Sequence, residues 1–125
     1  MKAGDTFFLK KGAADNHLRV ILSDPEAFPD QVVFATLTSF DLTKESACII
    51  QPGEHPFVKN QTCIAYDRLI ACRSTELSRL EAASQIVWNV SVSQVLLERI
   101  REGASLSRDI KPRMLKILLE QGVLD

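Results

Sequence analysis

Short β-favouring runs separated by turn residues fill the first part of the chain. Thr6 to Leu9 reads as a strand, broken by Lys10-Lys11-Gly12. Leu18 to Leu22 follows and stops at Asp24-Pro25, and Pro29-Asp30 precedes Val32 to Leu37. Ala47 to Ile50 ends at Pro52-Gly53. Thr62 to Ala65 and Leu69 to Cys72 complete the series. The runs are rich in Val, Ile, Phe and Thr, which suit a pleated, half-buried surface. No helical stretch separates them. About six short strands in about 70 residues, joined by brief turns, predict an antiparallel sheet closed into a small barrel, with a sandwich as the other option.

After Cys72 the period changes. Leu77, Leu80 and Ala83 recur at helical spacing, with Ser74 as a possible cap and Glu76 and Glu81 near the start. Val92, Val95, Leu96 and Ile100 predict a second helix, capped by Ser91 or Ser93 and closed by Gly103. A third is predicted from about Asp109 to Gln121, with Pro112 in its first turn and Gly122 at its end. The fold class expected is α+β in one domain over 1–125, with a β part at 1–72 and a helical part at 73–125 packed on it. Trp88, between Val87 and Asn89, is expected to pack between helix and barrel.

Apolar residues make up 46% of the chain, enough for a real core, and charged residues 25%. With 15 basic and 16 acidic residues the formal net charge is −1. A dedicated duplex-DNA binder is usually clearly basic, so contact with nucleic acid would need a local patch. Cys48, Cys63 and Cys72 form no C-x-x-C and all sit in apolar segments. Buried reduced thiols in a reducing, cytoplasmic compartment are the expectation, with no disulfide framework and no metal or other cofactor. No long apolar run follows Met-Lys-Ala-Gly-Asp, so neither a signal peptide nor a membrane span is expected. Phosphate-loop, dinucleotide, zinc-protease and nucleophile-elbow signatures are absent from the sequence.

The order of segments in the β-rich part resembles the MazF/PemK toxin family. Gly4-Asp5 opens an apolar strand, Val20-Ile21-Leu22-Ser23 ends the next, and Leu37-Thr38-Ser39 ends a third. An apolar strand at Ala47 to Ile50, a loop at Gly53 to Lys59 and a hairpin over Thr62 to Cys72 follow, with Tyr66-Asp67-Arg68 at the tight connection. The resemblance covers roughly Lys2 to Leu80. It implies an SH3-like barrel and an endoribonuclease toxin that cuts single-stranded RNA without metal. It further implies a homodimer and an antitoxin partner. One departure is plain: where family ribonucleases usually carry Arg-Pro before the second strand, this chain has Asn16-His17-Leu18-Arg19.

RNA cleavage through the 2′-hydroxyl needs a base for that proton, an acid for the leaving oxygen and a cation for the phosphate. Histidine, with an ordinary pKa of about 6.5, suits the first two roles. The chain has two, His17 and His55. Arg19, two residues from His17 and so on the same strand face, suits the third. Thr38 stands where the resemblance implies a catalytic threonine. The candidate catalytic set is therefore His17, Arg19, Thr38 and His55. Lys10, Lys11, Ser39, Lys59 and Tyr66 are candidates for binding RNA. The plain alternative for each histidine is a turn residue making one hydrogen bond, and for Tyr66 a core position. Two other functions stay open. One is a non-catalytic SH3-like module that binds protein or nucleic acid, including a toxin that poisons a topoisomerase. The other is an unrelated α+β protein with a structural role.

Overall fold

The structure, a computed structural model, describes residues 1–10 and 17–124. All six expected strands form, mostly trimmed at their ends: β1 (Thr6–Leu9), β2 (Arg19–Ile21), β3 (Val32–Ser39), β4 (Ile49–Ile50), β5 (Thr62–Ile64) and β6 (Ile70–Cys72). A 3-10 turn at Tyr66–Arg68 separates β5 from β6. The helices are α1 (Ser74–Ala82), α2 (Gln94–Leu106) and α3 (Pro112–Glu120). Between α1 and α2 lies an unexpected strand, β7 (Ile86–Asn89), which pairs antiparallel with β1. The architecture is thus α+β, with the helices mostly C-terminal.

The strands of the described residues make one antiparallel sheet in the order β4-β5-β3-β2-β1-β7. β3 is long enough to hold two partners on one flank: β5 along Leu37–Ser39 and β6 along Val32–Phe34. The expected closure into a barrel is not found among the described residues. β4 and β7 are the two ends of the order, and no ladder joins them among the described residues. Both strands are short, with two and four residues, so they offer few backbone groups for a closing ladder.

Side chains alternate across the sheet. Val33, Ala35 and Leu37 of β3 join the larger core with Leu18, Val20 and Leu22. Against them pack Leu96, Leu97, Ile100 and Ala104 of α2 and Met114, Ile117 and Leu118 of α3. Val32 and Phe34 face the other way, into a smaller cluster with Phe7, Ile21, Ile86 and Leu77 of α1. Trp88 belongs to this second face. Its ring meets Phe7 edge-on at 5.6 Å, and its indole N–H donates to Glu81 of α1.

The turn signals acted as expected in some places and not in others. Ser93 caps α2, accepting from Leu96 N at 3.1 Å. Ser74 is already inside α1, whose N-cap is Arg73 without a side-chain bond. Gly103 does not close α2, which runs on to Leu106. Gly4 turns the chain at φ +92°, and Asp5 fastens that turn through Lys2 N and Ser91 Oγ, each at 2.8 Å. Partial burial works to raise the Asp5 carboxyl, but the bonds from Lys2 and Ser91 outweigh it and hold it below the usual carboxylate range.

Candidate functional site

Strand register brings three of the four candidate catalytic residues to one face. Arg19 lies opposite Thr36 across β2 and β3. Leu37 N donates to Leu18 O at 2.8 Å, which carries the same register one step further and sets His17 opposite Thr38. Arg19/Thr36 is a non-hydrogen-bonded pair, as is its neighbour two residues on, and side chains stand closest at such pairs.

His17 is half-buried, and its Nδ1 lies 3.1 Å from the carbonyl oxygen of Leu37. A carbonyl only accepts, so Nδ1 carries the hydrogen. In the neutral ring Nε2 then holds the lone pair, the form a general base needs. Arg19 is only 7% exposed, and its guanidinium donates to the His17 carbonyl at 3.2 Å. It braces the backbone that carries the imidazole.

His55 has a different setting. It is 3% exposed. Its Nε2–H donates to the Val90 carbonyl at 2.6 Å, and its Nδ1 accepts the Phe57 N–H at 3.1 Å. Both ring nitrogens serve the backbone, and neither partner is His17, Arg19 or Thr38.

Thr38 also borders a cleft of about 280 Å³ with Lys44, Cys63, Asp67, Arg68 and Asp109 in its wall. The Lys44 ammonium donates to Thr38 Oγ1 at 3.4 Å and to the Ser39 carbonyl at 2.5 Å. Lys44 was no candidate in the sequence. The signal that could have found it is the Asp41-Leu-Thr-Lys44 turn placed directly after the Thr38-Ser39 strand end. There Asp41 accepts from Thr43 N at 2.8 Å and its carbonyl accepts Lys44 N at 3.1 Å.

The candidate RNA-binding residues scatter. Tyr66 is 1% exposed, and its hydroxyl donates to the Ile100 carbonyl at 2.7 Å, so its ring is committed to the sheet–α2 contact. Ser39 is exposed beside Lys44. Lys59 is exposed in the loop before β5, and Lys10 is exposed just past β1. Lys11 lies outside the described residues. Among the described residues no helix is long and apolar enough to cross a membrane.

No protein-family model, curated protein or solved structure matches the chain.

Proposed function

We propose that the chain is a MazF/PemK-like endoribonuclease toxin, which cuts single-stranded RNA without metal. In this reading it acts in the cytoplasm as a homodimer, on an SH3-like scaffold, and an antitoxin silences it. The observation that supports the reading is the register that sets His17, just before β2, opposite Thr38 of β3, with His17 Nδ1 against Leu37 O. His17 Nε2 takes the proton of a 2′-hydroxyl. The alkoxide oxygen bonds to the adjacent phosphorus, the bond to the 5′-oxygen breaks, and that oxygen takes a proton from water. The products are a 2′,3′-cyclic phosphate and a 5′-hydroxyl end.

A non-catalytic binding module on the same scaffold is the second reading. It is favoured by the commitment of both His55 nitrogens to Val90 and Phe57, which leaves one histidine where the chemistry was expected to use two.

One assay separates the two. The purified protein is incubated with single-stranded RNA in the presence of a chelator, beside folded His17→Ala. Cleavage that His17→Ala abolishes supports the ribonuclease. Intact RNA after incubation with folded wild-type protein makes the binding module the leading reading.

A further inference from the structure

We propose that the cleft beside Thr38 is a nucleotide subsite in which Lys44 holds a backbone phosphate of single-stranded RNA. The choice of RNA rests on the ribonuclease reading. The subsite itself rests on Lys44 and the cleft wall.

Cleavage of a phosphodiester needs a cation at the phosphate. The residue expected to supply it, Arg19, is 7% exposed and donates to the His17 carbonyl. Lys44 is the cation placed against Thr38. An ammonium has three N–H donors. Two go to Thr38 Oγ1 and Ser39 O. The third is nearest Asp41 Oδ2, an ion-pair partner at 3.7 Å, and a phosphate oxygen takes it in place of that carboxylate. The Asp41 turn fixes the lysine backbone, which lowers the entropy lost when the ammonium takes up a ligand.

The rest of the wall suits a nucleotide better than a bare anion. Arg68 adds a second cation, whereas Asp67 and Asp109 are carboxylates. A simple anion would meet both signs of charge. A nucleotide brings a phosphate for the cations and amino groups on its base for the carboxylates. Glu45, also in the wall, accepts from Ser107 Oγ and Arg108 N, which fix its position; it remains a third carboxylate there, beside Asp67 and Asp109. The volume, about 280 Å³, lies near the lower bound of roughly 300 Å³ for small-molecule sites and fits one nucleotide rather than a folded segment.

The test uses a fluorescent 2′-O-methyl RNA oligonucleotide, which this chemistry cannot cut. Its affinity for wild type, Lys44→Met and Lys44→Arg is read by anisotropy over a salt series. Lys44 is half-exposed, so the variants keep the fold, and a melt of each checks this. Expected is a loss of about five- to tenfold for Lys44→Met, with a salt slope smaller by about 0.7, and near wild-type binding for Lys44→Arg. Unchanged affinity and slope for Lys44→Met overturn the subsite. Cleavage of ordinary RNA by wild type is read separately. Lys44-dependent binding without cleavage keeps the subsite and removes the ribonuclease. Cleavage with Lys44-independent binding does the reverse. Neither binding nor cleavage overturns both.

Discussion

His55 joins the two open ends of the sheet through Val90. The histidine follows β4 and Val90 follows β7, and these strands are the termini of the strand order. No ladder links them among the described residues, so this side-chain bond of 2.6 Å does locally what strand pairing does elsewhere. The Val90 carbonyl also accepts from Thr6 Oγ1 at 2.6 Å, which draws β1 into the same knot. Phe57, beside His55, packs edge-on against Phe8 of β1 at 4.9 Å.

His55→Ala is therefore expected to act on stability. It removes two part-buried hydrogen bonds and opens space in a packed region, at a cost of about 2–3 kcal/mol. For a domain of this size that lowers the Tm by roughly 8–12 °C. Thermal melts by circular dichroism measure it. An unchanged Tm together with lost RNA cleavage would return His55 to the chemistry.

How much of this was legible in the sequence follows from which features are local. The six early strands could be read because β-branched runs are punctuated by Pro, Gly and Asp within a few residues. β7 was not read as a strand: Ile86–Asn89 follows a helix directly, and its partner β1 lies about 80 residues away. That His17 and Arg19 share a face follows from the two-residue period of a strand. That Thr38 stands opposite does not, because register is set by pairing across a turn and by burial. Gly103 looked like a helix end because glycine there usually means one. Its actual reason is a tyrosine 37 positions earlier, which no local pattern encodes.

Gly103 makes room for Tyr66. A Cβ at this position would lie 2.1 Å from Tyr66 Oη and 2.9 Å from Cys48 Cβ. Alanine in a helix interior would gain about 1 kcal/mol over glycine from propensity. The overlap outweighs that gain, since Tyr66 must give up its bond to Ile100 and its packing. Gly103→Ala is expected to destabilise by about 1–3 kcal/mol net, against the usual sign for this exchange. Chemical denaturation measures it. With Tyr66→Phe added, the cost should be less than the sum of the two single variants. Strict additivity would show that the two positions are independent.

Tyr66 is the one tyrosine in the chain, so its titration can be followed without interference. Burial, reinforced by the Cys48 thiol beside it, pushes its phenol far above the usual value of about 10. The folded state thus favours the protonated form more than the unfolded state does. This contribution to stability is complete below about pH 10 and is lost as pH rises above that value. Tyrosinate absorbance should therefore stay low while the protein is folded and rise together with the loss of circular dichroism. A tyrosinate signal with a midpoint near pH 10 and intact circular dichroism would contradict the buried Tyr66–Ile100 bond.

The pairing of His17 with Thr38 makes the sharpest demand on the ribonuclease reading. His17→Gln keeps a donor for the Leu37 carbonyl but cannot take a proton. Thr38→Val keeps the shape but removes the hydroxyl that Lys44 touches, while Thr38→Ser retains it. If His17 is the base, His17→Gln lowers the cleavage rate by about 10²–10⁴-fold. Its stability should change by only about 1 kcal/mol, the value of one exchanged hydrogen bond. Thr38→Val should fall well below Thr38→Ser in kcat, because serine keeps the hydroxyl that valine lacks. Single-turnover cleavage of an RNA oligonucleotide, with melts of each variant beside it, measures all three. Should His17→Gln cleave at the wild-type rate, the histidine is only a strut on Leu37, and the face it shares with Thr38 is a binding surface without chemistry.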